Sequence, residues 1–200
     1  MNSEDLSVEE GTELVKLART AVESYLREGK IINSTHKSNK KAGIFVTLYQ
    51  SYSSDSEKNL RGCIGYTIPS WNIYDTVIAA AINAATEDPR FMALSQEELE
   101  NTIFEVSVLT KPALIQVDNT LAFQNEIIIG RDGLLLESRH GSSLFLPQVP
   151  VEQKWTLNEY LANLCNKAGA PTDAWKLPDS RLYKFRSLVF TENLPNKNTP

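Results

Sequence analysis

Two strand-forming runs set close together constrain this chain more than any other feature. Gly43–Gln50 is rich in β-branched and aromatic residues, a Ser/Asp-rich stretch over 51–59 follows, and a second run passes through Leu60-Arg61-Gly62-Cys63-Ile64-Gly65 to Tyr66. This pattern predicts a hairpin over Gly43–Tyr66. Upstream, Ser7-Val8-Glu9-Glu10 is a capping box, and Leu14, Leu17, Ala18, Ala21 and Tyr25 recur at helical spacing, so a first helix is expected to run to about Gly29. Downstream, Asn72 can cap a second helix over Tyr74–Thr86, whose alanines permit close packing on a sheet and which Pro89 stops. Ser95-Gln96-Glu97-Glu98 reads as a capping box for a short helix, with a strand over Ile103–Thr110 after it.

The second half reads differently. Ile127–Ile129, Leu134–Glu137 and Ser142–Leu146, turned at Asp132-Gly133 and at His140-Gly141, form a predicted meander. Thr156-Leu157-Asn158-Glu159 opens another helix, whose apolar face is Leu157, Tyr160, Leu161, Leu164 and Ala168, with Cys165 on its edge and Gly169 and Pro171 ending it. Arg181–Phe190 reads as a closing strand and Asn193–Pro200 as a frayed tail. Adjacent hairpins with few βαβ units place the chain in the α+β class.

Composition narrows the function. Two hundred residues are ample for one sizeable core. No apolar run approaches the roughly 20 residues that span a bilayer, and Met1-Asn2-Ser3-Glu4-Asp5 lacks the basic start of a secretory signal, so a cytoplasmic location without membrane attachment is expected. The net charge of -5 argues against nucleic acid as a partner, and the short run Lys37, Lys40, Lys41 reads as a solvated loop. Two cysteines a hundred residues apart exclude a disulfide framework. His36 and His140 lack zinc-ligand spacing, no nucleotide-binding glycine motif occurs, and neither metal nor cofactor is expected.

What remains is Leu60–Gly65. If this segment is extended, Arg61 and Cys63 share one face and Leu60 and Ile64 the other. A cation beside a thiol favours the thiolate, which is the reactive and ligating form. Gly62 and Gly65 leave bare backbone where a ligand or another strand can approach. The alternative is that Cys63 packs as a small hydrophobe. Asp88-Pro89-Arg90-Phe91 holds an arginine in a fixed direction, suited to bidentate recognition of an anion; alternatively Asp88 and Arg90 pair and lock the helix end. Glu105 lies on the half-apolar face of its strand, where it needs a partner such as Arg61 or Arg90 unless it faces solvent. His140 is a candidate base for Cys63, against a simple turn residue. Trp71 lies near the signature, where it could wall a pocket, while Trp155 and Trp175 read as packing residues.

The hexapeptide resembles the signature of the AMMECR proteins. Asp88-Pro89-Arg90-Phe91, Glu105-Val106-Ser107-Val108-Leu109, Gly130-Arg131-Asp132-Gly133-Leu134, Leu146-Pro147-Gln148-Val149-Pro150 and Lys167-Ala168-Gly169 follow in the family's order, covering about residues 10 to 190. The resemblance implies a single domain over 1–194, with a larger lobe of helices on an antiparallel sheet and a smaller β-rich lobe near 126–150, before a tail at 195–200. It carries no assigned reaction. It also implies a setting beside Memo-like and radical-SAM proteins as partners. Two functions are therefore expected to compete. One is a small-ligand or thiol-dependent site in a cleft between the lobes, with Cys63 and Arg61 as its chemistry and Gly62, Gly65, Asp88, Arg90, Glu105 and His140 around them. The other is a non-catalytic protein-interaction module in which Cys63 only packs.

Overall fold

The computed structural model describes residues 6–36, 38–50, 59–67, 71–116 and 123–192. Lys37, most of the 51–59 loop and the 193–200 tail lie outside the described residues. The chain forms two compact units, one from Met1–Val108 with Leu188–Pro200 and one from Leu109–Ser187. The class is α+β, with two antiparallel sheets of four strands each.

In the first unit the helices form where local chemistry demands them. Helix α1 (Val8–Glu28) starts on the Ser7/Glu10 capping box and ends at Gly29, whose φ of 66° only glycine adopts readily. Strands β1 (Gly43–Gln50) and β2 (Asn59–Tyr66) pair antiparallel as the hairpin expected. Asn72 caps α2 (Ile73–Thr86), its side chain accepting from the amides of Tyr74 and Asp75. The short α3 (Gln96–Leu99) carries the second capping box and leads into β3 (Thr102–Leu109). Ile44, Val46 and Leu48 of β1 and Phe104, Val106 and Val108 of β3 turn to one side, where they share a core with Leu14, Ala18 and Val22 of α1 and Val77, Ala81 and Ala84 of α2. Alanines along α2 let its backbone approach the sheet closely.

The second unit contains β4 (Ala113–Leu114), α4 (Phe123–Glu126), β5 (Gly133–Ser138), β6 (Gly141–Phe145), α5 (Val149–Glu152), α6 (Leu157–Lys167) and β7 (Arg181–Phe185), in sheet order β4-β7-β5-β6. Its core gathers Leu134, Leu136, Tyr160, Leu161, Leu164, Cys165 and Leu182. Cys165 is fully buried there, and burial pushes its thiol up from the ordinary range.

Two sequence expectations need correcting. Ile127–Ile129 is not a strand. Asp132 accepts the amide of Ile128 on its buried carboxylate at 2.9 Å, and Arg131 and Asp132 both donate backbone amides to the Ile128 carbonyl. That local loop consumes the groups a ladder would need, so the meander loses its first strand. Arg181–Phe190 is likewise not one strand but two, β7 and β8 (Ser187–Thr191), in different sheets. The break falls at Arg186, whose amide donates to Thr110 Oγ1 and whose carbonyl accepts from the Thr110 amide. Strand β8 completes the first sheet in the order β2-β1-β3-β8.

Candidate functional site

The signature strand is not regular. Thr47 pairs with Cys63 and Leu48 with Gly62, but Tyr49 pairs with Leu60, so the register slips by one and skips Arg61. A bulge of this kind re-aims the side chain it carries. The Arg61 guanidinium forks onto Glu98, Nε to Oε1 at 2.9 Å and Nη2 to Oε2 at 3.0 Å. The same Glu98 carboxylate accepts the Ser95 amide in the α3 capping box at 2.9 Å. Arg61 and then partial burial act in opposite directions on Glu98, and the guanidinium wins, holding the carboxyl below its usual range.

The two glycines serve packing. A methyl group on Gly62 would overlap the Ala84 carbonyl oxygen of α2, and one on Gly65 would overlap the Phe45 ring and the Ile44 carbonyl oxygen of β1. Their bare backbone is therefore filled by a helix and by the neighbouring strand.

Cys63 is partly exposed and its backbone is gripped from both sides. Its amide donates to Asp88 Oδ2 at 2.8 Å, and Arg90 Nη2 lies 3.5 Å from its carbonyl oxygen. The Thr47 hydroxyl donates to its sulfur at 3.3 Å. Asp88 in turn holds Arg90, accepting Nε at 2.9 Å, Nη2 at 2.7 Å and the backbone amide at 3.1 Å. The Asp88 side chain is 2% exposed and that of Arg90 is 53% exposed. The Arg90 hydrogen bond, with help from the Cys63 amide, outweighs burial and pulls the Asp88 carboxyl down to about 2. The guanidinium is held charged foremost by its hydrogen bonds to Asp88. The Asp88–Arg90 pair considered for the helix end thus exists, and it reaches further, to Cys63. Phe91 lies beneath both cations, 5.8 Å from Arg61 and 5.4 Å from Arg90.

Glu105 is buried rather than solvent-facing. It accepts from the Thr191 hydroxyl at 2.8 Å and from the Tyr49 phenol at 3.3 Å. His140 belongs to the second unit, in the β5–β6 turn, where Arg139 Nε approaches its Nε2 at 3.2 Å and its amide donates to Ser138. No group of three or more His, Cys, Asp or Glu side chains suited to a metal occurs among the described residues. Thr47, Glu98, Thr191 and Tyr49 carry no sequence signal for these roles except Glu98, which is visible as a capping-box residue.

The AMMECR1 family model matches residues 15–190. The chain belongs to the AMMECR1 family. It is 43% identical over 192 residues to the protein MJ0810 of Methanocaldococcus jannaschii, covering 95% of this chain and 94% of that one. It is 44% identical over 189 residues to the protein PH0010 of Pyrococcus horikoshii, covering 92% of this chain and 91% of that one. The crystal structure of the uncharacterized protein PH0010 from Pyrococcus horikoshii superimposes with a TM-score of 0.86 at 42% identity, covering 95% of each chain. The matched span of the AMMECR1 family contains Cys63, Asp88, Arg90 and Glu105 together.

Proposed function

We propose that this AMMECR1 protein carries a small-ligand site on its signature strand, with Cys63 as the reactive or ligating group and Arg90 as the group that receives an anion. One observation carries the reading. A single buried carboxylate, Asp88, holds both the Cys63 amide and one edge of the Arg90 guanidinium, while that guanidinium stays half exposed. A cation fixed this way stays at the Cys63 backbone, and a cation near a thiol favours the thiolate. Its unused donors suit a carboxylate or phosphate. Arg61, bound to Glu98, shapes the strand. Thr47 orients the sulfur through its hydroxyl.

The test is alkylation of the folded protein with iodoacetamide as a function of pH, read by peptide mapping. Cys63 should be modified well before Cys165 at neutral pH, and Arg90→Met should move the profile to higher pH. A Cys63 that reacts no faster than Cys165 defeats the proposal. Ligands that co-purify from native cells, read by mass spectrometry and lost in Arg90→Met, identify the ligand class.

The competing reading, a protein-interaction module, is favoured by Gly62 and Gly65, which face protein rather than open space. It expects an inert Cys63 and an unchanged ligand profile in Arg90→Met.

A further inference from the structure

Helix α2 has a second apolar stripe, directed away from the sheet. Asp75, Ile78, Ile82 and Asn83 follow one another at the spacing of a single helix face. Ile78 and Ile82 pack on one side with Ala21 of α1. On the other they floor a groove of about 420 Å³, walled by Ile31 and Trp71. That volume falls in the range of small-molecule sites, roughly 300–1,000 Å³.

The wall is built rather than incidental. Trp71 is 51% exposed, yet its ring meets Tyr66 edge-on at 5.8 Å, and the Tyr66 hydroxyl accepts from Asn83 Nδ2 at 2.7 Å. That bond turns the amide nitrogen of Asn83 to Tyr66 and leaves its carbonyl oxygen as the unused end. Asp75 is the one charged residue among the described residues of the lining. Its Oδ2 accepts from Asn72 at 2.6 Å, and its Oδ1 has no partner among the described residues. Asp75 and Asn83 are two helical turns apart, about 12 Å at 1.5 Å per residue. The groove therefore offers an apolar floor, an aromatic face, a carboxylate at one end and a carbonyl at the other.

We propose that this groove binds a small organic ammonium with a compact apolar body, the cation at Asp75 and the body on Ile78 and Ile82 against Trp71. An anionic ligand would meet Asp75 with no compensating charge. A neutral one would leave the carboxylate without a new partner. The inference is independent of the Cys63 site.

The test compares three probes that share a phenylethyl body on the wild-type protein at neutral pH: 2-phenylethylamine, 2-phenylethanol and 3-phenylpropionate. Binding is read by tryptophan fluorescence and by the isoleucine methyl resonances of Ile78 and Ile82. The amine should saturate and bind up to about fivefold more tightly than the alcohol, as a partly exposed ion pair provides. The acid should bind more weakly than either. Asp75→Asn, checked for folding by its thermal transition, should bring the amine down to the affinity of the alcohol. Equal binding of all three probes overturns the proposal. So does an amine that perturbs neither isoleucine, or one that fails to saturate at millimolar concentration.

Discussion

The amide of Cys63 donates to the carboxylate of Asp88 at 2.8 Å, joining the middle of an edge strand to the loop after the helix packed on it. Asp88 thereby stabilises the fold and orients the proposed site at once, and the two roles separate experimentally.

Stability should depend on Asp88 and on pH. Its carboxyl is held at about 2, against 3.8 for a free one, because the charged form is bonded in the folded state. A lowered native value adds stability that is complete above the unfolded pKa and is lost as pH falls through the folded one. Asp88→Asn should cost about 2 kcal/mol at pH 7, as a shift of this size implies for so buried a group. Its deficit against wild type should shrink between about pH 4 and pH 2. Urea midpoints across that interval measure it, and a constant deficit contradicts the assignment.

Charge at Arg90 should select the alkylating agent. Iodoacetate and iodoacetamide attack the same sulfur, but only the former carries a carboxylate for the half-exposed guanidinium. The ratio of their rates at Cys63 should be higher in wild type than in Arg90→Met. Arg61→Met should leave that ratio nearly unchanged, because its guanidinium is taken up by Glu98.

Gly62→Ala should cost more than Gly29→Ala. At Gly62 the added methyl meets the Ala84 carbonyl, so strand and helix must part, at about 1–3 kcal/mol for overpacking. At Gly29 nothing lies nearby and only the φ of 66° is unfavourable, about 1 kcal/mol. Chemical denaturation of the two variants ranks them, and the reverse order rules out close packing of α2 on β2.

Arg19 should hold strand β8. Its guanidinium bonds Glu192 through Nε at 2.6 Å and Nη2 at 2.7 Å, donates to the Thr102 carbonyl at 2.6 Å and lies 4.8 Å from the Phe104 ring centre. Arg19→Met leaves Glu192 without its cation and should destabilise by about 2–3 kcal/mol, below the fully buried case because both groups are partly exposed. Hydrogen exchange should accelerate first at Leu188–Thr191. Uniform acceleration across the sheet would show that the ion pair is not local to β8.

Local chemistry was legible in the sequence. The boxes at Ser7, Ser95 and Thr156, the Asn72 cap and the stop at Gly29 form as their residues dictate, because each signal and its partner lie within a few positions, and the hairpin forms because its two strand-forming runs adjoin a single loop. The family was legible too, since its motifs are ordered along the chain. Tertiary structure alone decided which cation reaches the Cys63 backbone. Strand alternation puts Arg61 beside the thiol, but the one-residue slip at Tyr49 and the attraction of Glu98 take it elsewhere, and a loop from beyond α2 brings Arg90 instead. The same holds for the glycines, whose purpose depends on the helix and strand that press on them, and for the break at Arg186, which depends on Thr110. Periodicity encodes the face a residue occupies, whereas the partner it finds there is set by packing between segments far apart in the chain.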